Sequence, residues 1–370
     1  MLTLDSTPAV SAPGSRPLRL GYVALTDAAP LIVAQELGFF AAPGLRVELR
    51  REIGWASIRD KIIYGELDAA QAPAPVLWSI QLGLRCPRSD ILTALVLSCH
   101  GNAITLSRAL WEAGVRDAAS LGAHARSRPA RHLLTFAVVF PYSSHQLLLV
   151  DWLRTAGLEP ERTVRIVVVP PAQMFRNLAA GTIDGFCSGE PWNSLAVREG
   201  AGWCAAWSAA LQPGHVEKVL LVKKQFAESR GAEHAALVRA LVQAAAWCDE
   251  PHHRERLADL LGDVRFLNLP AKVMACALTG KFDRGFGQTA EIPDFHVFHR
   301  DDASRPTLEK AAALQRALGA AGLLPPAAAA NPELPRRLFR EDLHREIMLN
   351  TNPHELTAPP DRRGVAPSPA

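Results

Sequence analysis

A strand-like alternation that leads directly into an apolar helix is the feature that most constrains the fold of this 370-residue chain. Leu18 and Leu20 alternate with other residues and precede Thr26 and Asp27, whose side-chain oxygens suit a helix N-terminus. After the helix, residues 45–49 predict a second strand. This order is that of a βαβ unit in an open α/β sheet, where ligands bind beyond the carboxyl ends of the strands.

The alternation of strands and helices starts again in the middle of the chain. We therefore predict an α/β protein with two lobes, because a chain that leaves one lobe, builds a second and returns makes two crossings with a ligand cleft between them. The predicted division is a disordered segment 1–17, a first lobe 18–106, a second lobe 107–214, a return to the first lobe with C-terminal helices at 215–324, and a Pro/Ala-rich, partly disordered extension 325–370.

Composition favours a cytoplasmic protein without a membrane segment. The net charge is only +3, so direct nucleic-acid binding through charge is not expected. Residues 1–17 are rich in Ser and Pro and lack the pattern of a secretory signal. No run approaches the roughly 20 apolar residues of a membrane span, and the six cysteines are scattered without a CxxC pair.

Sequence motifs for catalysis or for metal binding do not stand out. The chain contains no G-x-S-x-G, HExxH, Walker A or G-x-G-x-x-G motif. His252, His253, His296 and His299 lie in polar or loop-like sequence and lack carboxylates or thiols at ligand spacing. We therefore expect a binding protein rather than an enzyme, with no metal and no cofactor.

Several blocks resemble one family of bacterial proteins in the same order along the chain. They are LGYVALTDAAPLIVAQELGFF (20–40), GWASIRDKIIYGELDAAQAP (54–73), FPYSSHQLLLVDWLRTAGLEP (140–160), VVVPPAQMFRNLAAGTIDGFCSGEPWN (167–193) and HVEKVLLVKKQF (215–226). This wording resembles the nitrate- and bicarbonate-binding proteins of ABC importers (NrtA/CmpA-like) and the related soluble nitrate sensors. The resemblance implies a two-lobed fold of the type II periplasmic-binding class.

Within that group, the absence of a lipoprotein leader favours the NasS-like cytoplasmic sensors. The resemblance then implies that nitrate or nitrite closes the cleft and changes the surface that a partner protein contacts. In NasS-like proteins the partner is an RNA-binding antiterminator of the ANTAR type (NasT-like), which ligand releases.

Two candidate ligand residues lie where the first lobe would meet the cleft. Trp55 offers an indole N–H, a donor without a lone pair, at a predicted helix start. Asn102 follows Gly101 at the predicted crossing, and its amide is a donor. From the residues alone Trp55 can equally be a core residue, and Asn102 a turn residue. The family places a ligand-contacting Trp at the first position and a Gln at the second.

The PYSSHQ turn supplies three more candidates. Ser143, Ser144 and His145 stand at a predicted helix N-terminus, where hydroxyls and free backbone N–H groups favour an anion. One serine can instead be the N-cap, and His145 can be an ordinary helix-start residue. In the family, the position that matches Ser143 contacts the ligand.

Lys218, in the sequence HVEK, is the candidate cation. A lone Lys usually faces solvent, but the nitrate-binding members of the family carry Lys at this position, and the bicarbonate-binding members carry an acidic residue that works with calcium. Nitrate or nitrite is therefore favoured over bicarbonate. Gln71 is a further candidate in the pocket wall, and Glu190 is expected to cap or orient its neighbours, since a carboxylate would repel an anion.

Two other functions remain open at this point. The chain can be the substrate-binding component of an ABC importer for nitrate or bicarbonate. It can also be a pyrimidine-precursor synthase of the thiamine pathway, which shares the fold, although the GEPW block fits that enzyme poorly.

Overall fold

The computed structural model describes residues 16–129, 133–160 and 162–350. Its strands, in chain order, are β1 (Leu18–Val23), β2 (Val47–Glu52), β3 (Ala69–Pro73), β4 (Ile91–Leu92), β5 (Val96–His100), β6 (Asn102–Ser107), β7 (Leu134–Val138), β8 (Val164–Val168), β9 (Gly185–Gly189), β10 (Gly202–Trp207), β11 (Val216–Lys223), β12 (Lys281–Gly285), β13 (Gln288–Glu291) and β14 (His296–Val297).

Helices cover both faces of the sheets that these strands form. In chain order they are α1 (Ala29–Glu36), α2 (Trp55–Ile63), α3 (Val76–Leu82), α4 (Arg108–Glu112), α5 (Ala118–Ser127), α6 (Ser144–Thr155), α7 (Met174–Ala179), α8 (Trp192–Arg198), α9 (Ser208–Leu211), α10 (Lys224–Ser229), α11 (Gly231–Asp249), α12 (Arg254–Gly262), α13 (Ala271–Thr279), α14 (Leu308–Ala320), α15 (Pro326–Ala329), α16 (Glu333–Leu338) and α17 (Glu341–Leu349).

Two mixed sheets form the two lobes. The first has the order β14-β5-β11-β3-β1-β2, with β4 also paired to β11, and the second has the order β10-β6-β9-β7-β8. In the first sheet β1 is parallel to both β2 and β3, and in the second β7 is parallel to both β8 and β9. Each lobe therefore has a group of three parallel strands whose carboxyl ends can present ligand-binding residues.

The chain crosses between the lobes at Gly101. This residue separates β5 of the first sheet from β6 of the second and has a φ of 87°, a backbone conformation that glycine adopts readily. The predicted boundary at 106/107 therefore lies at the end of β6 rather than before it. The return crossing lies between β10 and β11, a segment that includes the predicted boundary at 214/215.

The apolar core continues from one lobe into the other. One cluster of buried side chains contains Val23 and Trp55 from the first lobe together with Phe140, Tyr142 and Phe186 from the second. Burial of shared apolar surface favours the closed arrangement of the lobes. The structure is therefore that of a closed two-lobed protein.

The C-terminal extension packs on the first lobe as far as the structure describes it. Arg340 N donates to Thr93 O at 2.8 Å, and Leu338 and Phe339 are buried. The described part of this extension contains the three helices α15, α16 and α17. The disorder predicted for 351–370 and for most of 1–17 falls outside the described residues. None of the described helices is both long enough and apolar enough to cross a bilayer.

Replacing Gly101 by Ala should destabilise the protein by about 2–5 kcal/mol, since a left-handed backbone and a crowded core act together. A Cβ at Gly101 would overlap the ring of His296. Gly65 is the matched control, because its φ is 74° and a Cβ there would meet nothing within 4 Å. Gly65→Ala should lose only about 1–2 kcal/mol. Urea unfolding of both variants measures the difference, and equal losses would contradict the close packing at the crossing.

Candidate functional site

The carboxyl ends of the parallel strands of both lobes meet in the middle of the molecule. From the first lobe, Asp27 follows β1, Trp55 follows β2 and Gln71 lies in β3. From the second lobe, His145 stands at the start of α6, which follows β7, and Glu190 follows β9. All five side chains are buried, with at most 1% of any residue exposed. The fold thus gathers polar side chains from separate segments into one desolvated site.

Lys218 lies at the centre of this site and is completely buried. Its Nζ is 2.8 Å from Asp27 Oδ2 and 2.5 Å from Glu217 Oε1. The same Nζ lies 5.2 Å from the centroid of the Trp55 ring, a cation–π distance. An ammonium has three N–H donors, so two ion pairs leave one donor for a further acceptor.

Glu217 and Lys218 can meet because β11 is irregular at this point. Neighbouring residues of a regular strand point to opposite faces of the sheet. Here the register between β11 and β5 shifts on both sides of Lys218. Such a bulge re-aims side chains, and it places two consecutive charged groups against each other. Glu217 was not predicted as a member of the site, because a regular strand would place it on the face opposite Lys218.

In the described part of the chain, the Asp27 carboxylate bonds two side chains of the first lobe. Its Oδ1 accepts a hydrogen bond from Gln71 Nε2, and its Oδ2 pairs with Lys218. Gln71 is fixed in turn, since its Oε1 accepts from Val23 N at 3.0 Å. Burial raises the pKa of Asp27 to about 6, against the opposing effect of the Lys218 ammonium.

Glu217 connects the first lobe with the second. Asn102 Nδ2 donates to its Oε2 at 2.6 Å, and His145 Nε2 lies 3.7 Å from its Oε1. His215 Nε2 lies 3.4 Å from Oε2. Burial alone would raise the pKa of Glu217, but Lys218 and the two imidazoles hold it well below its ordinary value. Burial lowers the pKa of His145 to about 3, so this imidazole is neutral at pH 7.

The two serines of the PYSSHQ turn have different roles. Ser143 Oγ donates to Phe140 O at 2.6 Å and accepts from Gln146 N at 3.2 Å, so it is the N-cap of α6. Its hydroxyl is thereby used in the helix start, as the alternative for this residue anticipated. Ser144 is also buried, and its Oγ has no hydrogen-bond partner among the described residues.

Glu190 orients its own segment. Its Oε2 accepts from Ser194 N at 3.1 Å, and its backbone oxygen accepts from Thr26 N at 2.8 Å. This capping role is the one expected from the sequence. Burial raises the pKa of Glu190 to about 7, so near neutral pH a large part of this carboxyl is uncharged and can donate a proton to an acceptor.

Several buried donors of the site lack partners among the described residues. They include the indole Nε1 of Trp55, Ser144 Oγ and the single N–H of the neutral His145 ring, neither of whose nitrogens has a hydrogen-bond partner in the described chain. Unpaired donors in a desolvated site are costly and are normally satisfied by some group. An ammonium beside neutral N–H and O–H donors is suited to a small anion, whose oxygens are acceptors only.

The structure brings most of the predicted residues together around Lys218. The Trp55 ring contacts the Lys218 ammonium directly. Gln71 bonds Asp27, and Asn102 and His145 lie against Glu217, so these three residues are connected to Lys218 through its two carboxylate partners. Ser143, Ser144 and Glu190 make no contact with Lys218 that the structure records. Whether any of the eight residues contacts a ligand stays a prediction.

Sequence reasoning missed Asp27 and Glu217 as partners of Lys218. Asp27 was read only as a helix-start residue, although its position after β1 was a signal for a site residue. The sequence also suggested that Lys218 is a cation without carboxylate partners, whereas its ammonium pairs with Asp27 and Glu217.

Comparison with known proteins identifies related chains. A model of the NMT1-like family matches residues 11–262. The bicarbonate transport ATP-binding protein CmpC of Synechocystis is 39% identical over 78% of the chain, which covers 44% of that protein. The nitrate/nitrite binding protein NrtA of Synechococcus elongatus is 30% identical over 81% of the chain and 72% of its own length. The chain thus spans less than half of the first of these relatives.

A solved structure extends the likeness to the whole fold. The periplasmic nitrate-binding protein NrtA from Synechocystis superposes with a TM-score of 0.86 at 28% identity, over 95% of this chain and 94% of that one. The prediction of a two-lobed fold of the periplasmic-binding class is therefore confirmed. The two NrtA relatives are named as binding proteins rather than enzymes.

Replacing Lys218 by Met should cost about 3–5 kcal/mol of stability, because Asp27 and Glu217 would be left as unpaired buried carboxylates. Adding Asp27→Asn to this variant should recover part of the loss. Lys223→Met, on the same strand, is the matched control: Lys223 is half-buried and bonds a backbone oxygen, Ile63 O. Its loss should stay below about 1.5 kcal/mol. Urea unfolding checks the series, and equal losses for Lys218→Met and Lys223→Met would refute a buried charge cluster.

Proposed function

Because the chain belongs to the NMT1-like family, as the nitrate/nitrite-binding relatives and the whole-fold likeness also indicate, we propose that its buried site binds nitrate or nitrite. The observation that carries this proposal is the Lys218 ammonium next to the unpaired indole N–H of Trp55 in a fully buried site. A small planar anion satisfies both groups at once.

The chemistry of the remaining donors supports the same ligand. Nitrate and nitrite have only acceptor oxygens, and a neutral His145 and the Ser144 hydroxyl are donors to such oxygens. In a water-poor site each hydrogen bond to a charged ligand is stronger than in water. Bicarbonate also carries an O–H donor, for which the acceptors Glu217 and Asn102 Oδ1 are the available groups. We favour nitrate and nitrite because the central cation is a lysine, as in the nitrate-binding members of the family.

Ligand binding is proposed to act through closure of the lobes. Glu217 belongs to the first lobe and its partners Asn102 and His145 to the second. A ligand held by residues of both lobes stabilises the closed arrangement, since it can bind that arrangement better than an open one. The closed surface then differs from the open one, which is the requirement for a sensor.

We assign the protein to the cytoplasm as a sensor of the NasS type. On this proposal its partner is an RNA-binding antiterminator of the ANTAR type (NasT-like), which the closed, ligand-bound form releases. Resemblance to the soluble sensors supports this role. The chain itself does not contact nucleic acid in this proposal.

A second candidate function is supported by the relatives. They are named as bicarbonate transport and nitrate-binding proteins, and one is described as periplasmic. A substrate-binding component of an ABC importer would use the same site and the same closure. The two functions differ in the compartment of the protein and in the partner that contacts the closed form.

Replacing Trp55 by Phe should weaken nitrate binding by about 10- to 150-fold, which corresponds to the loss of one hydrogen bond to a charged ligand. Phe keeps an apolar ring and removes the N–H. Trp203→Phe is the matched control, because Trp203 is also buried with an unpaired Nε1 but lies in the separate core of the second lobe. Calorimetric titration with nitrate, nitrite and bicarbonate measures the affinities. Absence of nitrate and nitrite binding in the wild type would rule out the proposed ligand.

The sensor role predicts a complex with the antiterminator that nitrate dissociates. The protein and an ANTAR-type antiterminator from the same organism are mixed and analysed by size-exclusion chromatography with and without nitrate. We expect co-elution only without the anion, and cell fractionation should recover the native protein in the cytoplasm. Recovery in the periplasm, with nitrate-dependent stimulation of an importer ATPase, would instead establish the second candidate.

A further inference from the structure

The buried site contains more negative than positive charge before any anion enters. Asp27 and Glu217 both bond the one ammonium of Lys218, and all three side chains have no exposed surface. An entering anion adds another negative charge at close range. Like charges in a desolvated site cannot all remain ionised, so one group must take up a proton.

The surroundings of the two carboxylates differ. Glu217 Oε2 accepts a hydrogen bond from Asn102 Nδ2 at 2.6 Å, and the Nε2 atoms of His145 and His215 lie 3.7 Å and 3.4 Å from its carboxylate oxygens. Among the residues that the structure describes, the partners of the Asp27 carboxyl are the Lys218 ammonium and the Gln71 amide. The anionic form of Glu217 is therefore the better stabilised of the two, and the pKa values agree: burial raises that of Asp27 to about 6, whereas that of Glu217 is held well below its ordinary value.

We infer that Asp27 is the charge-compensating residue of the anion site and takes up one proton from solvent as each anion binds. The inference rests on the proposed binding of nitrate or nitrite. Protonated Asp27 no longer competes for the ammonium, so Lys218 can direct its charge to the anion. Asp27 is thus a positioning residue that acts through Lys218, and it makes anion affinity depend on pH.

Two charged groups on β11, Lys218 and Glu217, act on the Asp27 carboxyl. The preceding residue, Thr26, has its Oγ1 2.7 Å from His296 Nε2 of β14 and donates to the backbone oxygen of Glu190. Burial and Arg254 lower the pKa of His296 well below its ordinary value, so this ring is neutral near pH 7. Two further titratable groups lie near the site: His145 faces Glu217, and Glu190 follows β9.

Asp27 also lies where the two lobes meet. A Cβ placed on Gly189 of β9 would be 3.4 Å from Asp27 Oδ2 and 3.5 Å from Asn102 Oδ1. The carboxyl group therefore faces the backbone of the second lobe at short distance. Its protonation removes a charge from the surface against which the second lobe closes.

Calorimetric titration of the full-length protein with sodium nitrate, in buffers of different ionisation enthalpy, measures the proton uptake directly. About one proton should enter per anion at pH 7, and the number should fall toward zero at pH 5, where Asp27 is already protonated. Affinity should weaken by up to about tenfold per pH unit above pH 6. Nitrate binding without proton uptake at pH 7 would overturn the inference and leave the proposed ligand intact. Absence of binding would overturn both.

The variant Asp27→Asn tests whether Asp27 is the residue that takes up the proton when nitrate binds. In this variant nitrate binding at pH 7 should proceed without proton uptake, and its affinity should be independent of pH between 6 and 8. Uptake that persists in Asp27→Asn, or that disappears in Glu190→Gln instead, would place the proton on another group and contradict the assignment. Should Asp27→Asn fail to fold, the number of protons taken up per nitrate by the wild-type protein, measured against pH, decides the question. A midpoint of this curve near pH 6 supports Asp27, and proton uptake that increases toward pH 5 contradicts the assignment.

Discussion

The buried ammonium of Lys218, held between Asp27 and Glu217, is the interaction on which the rest of the structure depends. A buried charge is tolerated only when it is paired and hydrogen-bonded. Gln71 and Asn102 bond the two carboxylates, and the bulge in β11 brings Glu217 to the same side as Lys218. Strand β11 lies between β5 and β3 in the first sheet, so this charge cluster is fixed at the centre of the molecule.

The same cluster joins the lobes. Through Asn102 and His145 the second lobe contacts a carboxylate of the first, next to the crossing at Gly101. Separating the lobes would expose both the charges and the shared apolar cluster of Trp55, Phe140 and Tyr142 to water. An anion that pairs with Lys218 and the indole N–H of Trp55 shifts the equilibrium between the open and closed arrangements of the lobes, so binding changes the conformation of the protein.

The fold could be predicted from the sequence further than the site could. The alternation of Leu18 and Leu20 and the polar helix start after it located β1 and the helix that follows, because a buried strand in a parallel group imposes an apolar pattern. The hairpin β12–β13 was not predicted, since its sequences KFDRG and QTAE mix apolar and polar residues without a clear alternation. Strand β10, GWCAAW, is apolar throughout and carries no alternation to mark it as a strand. Helices α4 and α5, in a region without a family-like block, were not predicted either.

For the site, the sequence located Trp55, Asn102, His145 and Lys218, but it did not reveal the two carboxylates around the ammonium. Glu217 was concealed because a bulge, which no local pattern announces, cancels the alternation of side chains. Asp27 was concealed because its ion pair joins segments far apart in the chain. Ser143 is the N-cap of α6, the alternative that the sequence left open, since an N-cap and an anion site favour the same residue type at a helix start.

A crystal structure of the protein soaked with nitrate would show directly whether Lys218 binds the anion. We expect one nitrate between the lobes, with oxygens within hydrogen-bond distance of Lys218 Nζ and Trp55 Nε1. A structure in which nitrate binds elsewhere, while Lys218 keeps only its two carboxylate partners, would contradict this expectation.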